Sequence, residues 1–398
     1  MLPSGSDARP LAFVVVGNPD GRRVTLFQEA LARLDLPAAR VVPYVDLLSG
    51  QVSLPDVVPP GAVVRIESPG KDFEVERLLL AAGADAAKEE GAFAYIPRDV
   101  VEQLPFDKGR LLYPRQWHLG FCEVLRQIKA QLALCPAHHL MNAPEDIWAM
   151  FDKRLCHARM VRNGVAVPRS LGPVTCFDDL RACMQESGYP RVFVKLAHGS
   201  SASGVVAYQV NGHRHHATTT VETARQGDEL RLYNTRRIRV HRDVREIAAL
   251  IDALCQHRVH VEQWIPKAML EGQAFDLRVV MVGSGAPAAT VTHVVVRQSR
   301  SPMTNLHLLN DRGDVESVLA RLDPEHWDAA RRTCAQAMAC FPNSMYAGID
   351  LLITPDYRHH AVLEINAFGD LLPGVLYQGR DTYETEIMAM LDAGNAKR

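Results

Sequence analysis

Ala347–Ile353 (AGIDLLI) and Ala361–Ala367 (AVLEINA) are two apolar runs separated by a polar stretch that contains Pro355 and Asp356. Aliphatic, β-branched runs flanking a turn-forming segment read as a β-hairpin. Side chains alternate faces along a strand. If Asp350 lies opposite either Glu364 or Asn366, all three therefore share one face. Two carboxylates and an amide oxygen are hard donors, a set that suits Mg²⁺ completing its octahedron with phosphate oxygens and water. A solvated polar sheet face would carry the same residues, so the hairpin alone does not decide the matter.

Three upstream segments add to it. In VFVKLAHGSSASGV (192–205) a strand passes through Lys195 into a run of small residues, Gly199, Ser200, Ser201, Ala202, Ser203 and Gly204. Backbone N–H groups of such a loop can approach phosphates closely, and Lys195 adds a point charge. Taken by itself, the glycine-serine run reads as a flexible hairpin loop. HVEQWI (260–265) is a strand carrying Glu262, and AFDLRVVMVG (274–283) is another, on which Asp276 and Arg278 share a face. An isolated buried arginine is costly, so Arg278 either pairs with Asp276 or meets an anion. Arg297 then precedes Pro302 and the polar segment TNLHLLNDRG (304–313).

The remainder sets these pieces in a frame. The run LAFVVVG (11–17), the turn-like Asn18–Gly21 and the amphipathic Val24–Leu34 read as strand, loop and helix. Val41–Tyr44 and Ala62–Ile66 read as strands and Phe73–Ala82 as a helix, the alternation of a small parallel-sheet domain. The Gly17–Gly21 loop does not match GxGxxG and is a plain turn. Helical spacing recurs from Gln116 to Leu134, and a second helix starts near Asn142, which can cap it ahead of Pro144 and Glu145. Strands then follow at Val192–Leu196, Val205–Val210, Val259–Ile265, Leu277–Val282 and Thr290–Val296, with a helix at Val244–Cys255, an antiparallel α+β pattern. His213, His215 and His216 read as an exposed hairpin tip. The basic run from Arg231 to Arg245 reads as a solvated strand edge.

Composition narrows the function classes. The 398 residues suit two or three packed units, and 44 basic against 46 acidic side chains give a formal charge of −2. Nothing global favours nucleic acid or an anionic membrane, so any anion site is local. The early apolar run Leu11–Val16 is shorter than a signal-peptide core or a membrane span, which makes a cytoplasmic protein the expectation. Eight cysteines without CxxC spacing read as reduced packing residues, with neither a zinc site nor a disulfide framework.

In order, the motifs are Lys153 on a helix, Lys195 before the small-residue loop, Glu262, Asp276 to Arg278, Arg297 with TNLH, and Asp350 with Glu364 and Asn366. This series resembles the ATP-grasp superfamily, nearest its RimK-like carboxylate-amine ligases, over roughly Asn142 to Gly369. The resemblance implies a mixed α/β and α+β architecture, an ATP-grasp fold behind an N-terminal αβ domain. Expected units are 1–114 for that domain, 115–265 for a helical connector and small subdomain with the phosphate lid, and 266–398 for the subdomain with the metal site. It implies that Lys153 and Lys195 hold ATP, that the Gly199–Gly204 loop, Ser200 and Ser201 included, covers the phosphates, and that Glu262 accepts from the adenine amino group. The backbone of Gln263, Trp264 and Ile265 would read the base. Lys267 or Glu271 would reach the ribose, and Asp276 and Asn305 join the nucleotide-binding set. Asp350, Glu364 and Asn366 would bind Mg²⁺, with Arg278 and Arg297 on the transferring phosphoryl group.

The implied chemistry is activation of a carboxylate as an acyl phosphate and its capture by an amine, releasing ADP and phosphate, with no side-chain nucleophile. A small-molecule kinase and a non-catalytic ATP-binding regulator are the alternatives. Where the RimK-like branch has Ser-Pro-Gly after its metal strand, this chain has Phe368-Gly369-Asp370, a segment expected beside the acceptor pocket. The expected substrate is a small molecule, an amino acid or a peptide. The sequence discloses neither the acid nor the amine, and it is compatible with a homo-oligomer.

Overall fold

The computed structural model describes residues 12–200, 202–227, 229–283 and 289–395. Leu11 and Ser201 lie outside the described residues. Three sheets organise the chain. The first is parallel: β1 (Phe13–Val16), β2 (Arg40–Val42), β3 (Val63–Ile66) and β4 (His139–Leu140), in the order β2-β1-β3-β4. All four residues of β1 and of β3 are buried, as central strands of a parallel sheet covered on both faces require. Phe13 and Val15 pack with Phe27 and Leu31 of the helix Arg22–Arg33 and with Tyr383 and Ile387 of the helix Thr382–Asn395. Val14 and Val16 face Leu79 of the helix Phe73–Ala82 and Phe121 of the helix Pro114–Leu132. These last two helices touch backbone to backbone. A Cβ on Gly120 would lie 1.8 Å from the Leu79 carbonyl oxygen, and one on Gly83 would lie 2.1 Å from that of Gln116. β4 follows the helix Pro114–Leu132, so the first sheet draws a strand from the segment expected to connect onward.

The second sheet is antiparallel. It comprises β5 (Arg191–Leu196), β6 (Val205–Asn211), β7 (Arg214–Gln226), β8 (Glu229–His241) and β9 (Val259–Gln263), ordered β8-β7-β6-β5-β9. The helices Phe177–Ser187 and Val244–Cys255 cover one face, burying Leu180, Ile247 and Ile251 against Val192 and Val206. The third sheet holds β10 (Met269–Leu270), β11 (Gln273–Val282), β12 (Thr290–Ser299), β13 (Asp311–Gly313), β14 (Tyr346–Ile353) and β15 (His360–Asn366). Its order is β13-β12-β11-β14-β15, with β10 paired to β11. Cys334 and Met338 of the helix Pro324–Ala339 join its core.

Several expectations change. Asn142 does not cap the helix Pro144–Phe151, whose N-cap is Ala143. Its side chain is instead buried, donating to Tyr346 O at 3.1 Å and accepting from Met345 N at 3.1 Å, which ties the helix start to β14. Tyr44 begins a helical turn instead of ending a strand. The tract around His213 is the exposed turn of the β6–β7 hairpin, as expected, and beside it the Tyr208 hydroxyl meets His215 Nδ1 at 2.7 Å. β8 is the edge strand, as its arginines suggest, and residues 109–111 pair onto its middle through Leu111 N to Leu232 O at 2.8 Å.

Asp370 is fully buried and binds Arg23 and Arg65, so it braces the segment after β15. Arg65, 0% exposed, also holds Glu67 Oε1 and Glu386 Oε2, each at 2.6 Å. Its guanidinium carbon sits 4.6 to 5.0 Å from the ring centroids of Tyr346, Phe27 and Tyr383. Burial pushes the Glu386 carboxyl well above the usual carboxylate range. One cation thus joins the first sheet, the C-terminal helix and the end of β15.

Candidate functional site

β14 and β15 pair with Asp350 opposite Glu364 and Gly348 opposite Asn366, which puts Asp350, Glu364 and Asn366 on one face. Asn366 donates its amide nitrogen to Gly348 O at 3.4 Å. Asp350 is buried and charge-compensated. Its Oδ1 accepts from Arg278 Nε at 2.6 Å, and its Oδ2 lies 3.0 Å from an Arg297 guanidinium nitrogen. Burial acts to raise the Asp350 carboxyl, but the two arginines hold it below its ordinary range. Register explains the pairs, since Arg278 lies opposite Asp350 and Asp276 lies opposite Arg297.

Asp276 and Arg278 therefore do not pair with each other. Asp276 accepts from Arg297 Nε at 2.7 Å and from Lys267 Nζ at 2.8 Å, and it also binds the Thr304 hydroxyl. Both Asp276 oxygens are thus braced by the surrounding site residues. Lys267 is engaged by Asp276 and by Thr304 Oγ1 at 2.6 Å, and desolvation lowers its ammonium. The result is a continuous ladder of alternating charge: Lys267, Asp276, Arg297, Asp350, Arg278. Asn305 Oδ1 accepts from His307 N at 2.9 Å in a local turn. Glu271 sits in the turn between β10 and β11 at φ +53°.

Opposite this ladder, Lys153 joins two elements. Its Nζ lies 3.0 Å from Glu364 Oε1 and donates to Gly199 O at 2.6 Å. A cavity lies between β5, β9, β15 and the helix Lys153–Arg162, walled by Cys156, His157, Met160, Lys195, Glu262 and Leu363 among others. Glu262, 2% exposed, is paired with Lys195 and so is not a free acceptor in this state. Burial alone would raise the Glu262 carboxyl, yet Lys195 brings it down to about 2. Along the following segment, Gln263 N donates to Arg169 O at 2.8 Å and Trp264 N to Arg191 O at 3.3 Å. Of these three backbone donors, only the Ile265 N–H is uncommitted among the described residues.

The Glu262–Lys195 pair carries a pH signature. A carboxyl that shifts from 4.5 when unfolded to about 2 when folded adds stability above pH 4.5, and that stability is lost as pH falls through 2. Glu262→Gln is expected to flatten this acid limb. Urea midpoints at acidic and neutral pH check it: the wild-type midpoint should fall further on acidification than the variant's, and equal falls would assign the sensitivity elsewhere.

The glycine-serine loop is shaped by its ends. Gly204 has φ +65°, and a Cβ there would lie 2.2 Å from Leu196 Cδ1, so glycine is required. A Cβ on Gly199 would lie 2.7 Å from Ser203 O, while Ser200 O accepts from Ser203 N at 2.8 Å. The sequence reading passed over Asp152 and His198, which fix the loop's root. Asp152 caps the helix Lys153–Arg162 by accepting from Arg154 N and Leu155 N, and its Oδ2 is 3.1 Å from His198 Nε2. Lys153 N also donates to Ala197 O at 3.0 Å. An N-cap aspartate beside Lys153 was the available signal.

His118, Asp152 and His198 bring ligand atoms within 4.8 Å of one another. The two imidazoles stack at 4.1 Å with an interplanar angle of 19°, which keeps their lone pairs in separate planes. Arg115 also places a guanidinium nitrogen 3.4 Å from His198 Nε2. This geometry suits a positioning cluster better than a metal chelate.

Residues 170–367 match the YheC/D like ATP-grasp family, a span that holds the loop, the Glu262 strand, the charge ladder and the β14–β15 hairpin. The chain belongs to the ATP-grasp superfamily. The branch matched is YheC/D like, whereas the motifs by themselves resemble the RimK-like branch. Among solved structures, this ATP-grasp chain is similar to the D-cycloserine synthetase DcsG at 13% identity and TM-score 0.53, over 96% of this chain and 99% of that one. A biotin carboxylase–β,γ-ATP complex from Campylobacter jejuni matches at 13% identity and TM-score 0.51, over 96% and 72%. The macrocyclase MdnC bound with precursor peptide MdnA from Microcystis aeruginosa MRC matches at 12% identity and TM-score 0.50, over 96% and 100%. At such identities the likeness is one of fold. No curated protein matches in sequence. Among the described residues, no helix is long and apolar enough to cross a membrane.

Proposed function

We propose that this chain is an ATP-dependent carboxylate-amine ligase working through an acyl phosphate. The observation that carries the reading is the convergence of Asp350, Glu364 and Asn366 with Lys153, Arg278 and Arg297 beside a cavity lined by Lys195 and Glu262. In it, the cavity, about 10 Å³ as it stands, widens as Lys195 leaves Glu262 and receives the adenine against the Ile265 N–H. Lys153 and Lys195 hold phosphates, Lys195 exchanging Glu262 for an anion. The hard oxygen set of Asp350, Glu364 and Asn366 fits Mg²⁺, which when bound supplies charge neutralisation on the phosphates. Arg278, partly exposed beside Asp350, meets the transferring phosphoryl group, and the ladder through Arg297, Asp276 and Lys267 keeps Asp350 oriented.

The substrate carboxylate attacks the γ-phosphorus and ADP leaves. The amine then attacks the acyl carbonyl, phosphate leaves, and an amide forms. No side-chain nucleophile enters. The protein's contribution is alignment and preorganised charge in a site screened from water. The DcsG and MdnC folds, one a synthetase and one bound with a peptide, support a small-molecule or peptide substrate.

A screen of carboxylic acids with Mg-ATP and hydroxylamine as surrogate amine tests this. Ligation predicts hydroxamate formed together with ADP. A stable phosphoester would identify a kinase, and nucleotide binding with no ADP release from any acid would identify a regulator.

A further inference from the structure

The first sheet has a feature that the nucleotide site does not use. Its strand order, β2-β1-β3-β4, reverses direction between β1 and β3. In parallel sheets the loops leaving the carboxyl ends of two such strands diverge and open a crevice, the usual ligand position. Here those loops are Gly17–Gly21 and Glu67–Asp72. Asn18 bridges them, donating Nδ2 to Pro69 O at 3.0 Å.

This crevice abuts the reacting end of the third sheet. Arg23, in the first turn of the helix after β1, donates to Phe368 O, and Arg278 donates to the next carbonyl, Gly369 O, at 3.0 Å. Two further elements close in, the turn Leu306–Leu308 with His307 and the strand β8 with Arg236. Ile238 of β8 packs beside Leu308 in one apolar cluster.

The charges around His307 are of one sign. Desolvation, then Lys71, Arg278, Arg236 and Arg23, hold its imidazole below the ordinary range. Two of those cations are already matched, Arg23 by Asp370 and Arg278 by Asp350. Lys71 and Arg236 are exposed and have no carboxylate partner among the described residues. Lys71 also holds φ +72°, a backbone region that lysine rarely adopts. Unmatched positive charge lining a cleft selects anions.

We propose that this crevice receives the acid substrate with its reactive carboxylate toward Arg278, and that the substrate carries a second anionic group, a carboxylate or a phosphate, taken by Lys71 and Arg236. The proposal rests on the ligation reading for the role of the bound acid, but binding tests it apart from turnover.

Calorimetry on the full chain loaded with Mg²⁺ and a non-hydrolysable ATP analogue compares glutarate, 3-phosphonopropionate and glutaramate, the monoamide that lacks the second charge. One or both of the dianions should bind about tenfold tighter than glutaramate, roughly what two solvent-exposed ion pairs supply together. Tighter glutarate would point to a second carboxylate, and tighter 3-phosphonopropionate to a phosphate. The preference should shrink with added salt and vanish in the Lys71→Ala, Arg236→Ala double variant, with glutaramate affinity unchanged. Equal affinities in the wild type, no binding of either dianion, or a preference that survives the double substitution would overturn it. If dianions bind selectively but no acid gives ADP and hydroxamate, the ligation reading fails and the anion site stands.

Discussion

Glu364→Gln should reduce ADP release by about a thousandfold, the upper end of what one preorganised electrostatic contact supplies, while the protein stays folded. The substitution removes a formal charge from the oxygen set facing Asp350 but changes side-chain volume little. Its structural cost is small. Glu364 pairs with Lys153 at 3.0 Å, both side chains retain some exposure, and a partly solvated pair of this kind contributes about 0–1 kcal/mol. Steady-state ADP release beside a thermal melt checks both halves. Wild-type turnover in a folded variant would remove Glu364 from the phosphate-facing set.

Arg278→Met and Arg297→Met should separate, although the two residues look equivalent in sequence. Arg278 is the more exposed, with its side chain 17% accessible, and it satisfies one carboxylate. Its loss should lower kcat by about a hundredfold with little change in ATP affinity or melting temperature, as expected for a contact that strengthens during phosphoryl transfer. Arg297 is 5% accessible and serves both Asp276 and Asp350. Removing it strands two buried carboxylates on Lys267 and Arg278, which should cost about 3 kcal/mol of stability in addition to any kinetic defect. Urea unfolding and nucleotide titration beside kinetics distinguish the pair. If Arg278→Met loses ATP binding in proportion to rate, the arginine holds the ground state. If Arg297→Met is as stable as wild type, the ladder is not what orients Asp350.

What was legible in the sequence followed from local periodicity. The helices Phe73–Ala82 and Val244–Cys255 fall on the expected residues because each begins at a capping aspartate, Asp72 and Asp243. The β14–β15 hairpin was legible as two apolar runs about a turn, and spacing puts Glu364 and Asn366 on one face, but register decides that Asp350 joins them. Partnerships set by register between strands were not. Spacing within β11 shows that Asp276 and Arg278 share a face, but only the neighbouring strands β12 and β14 decide that they turn to Arg297 and Asp350. The Asp370–Arg65 pair was illegible for the same reason, since the two residues lie 305 apart in sequence. The arginines of β8 were legible as a strand edge, but the extents of β7 and β8 were not, because their threonines and arginines leave no apolar alternation to read.

The fate of the carboxylate oxygen tests the acyl-phosphate route most directly. With the acid that best drives ADP release, labelled in its carboxylate with a heavy oxygen isotope, and an amine acceptor, the released phosphate is examined by phosphorus NMR or mass spectrometry. Attack of the carboxylate on the γ-phosphorus predicts that one labelled oxygen appears in that phosphate and none in ADP. Phosphate free of label, with the amide formed, would contradict activation through an acyl phosphate.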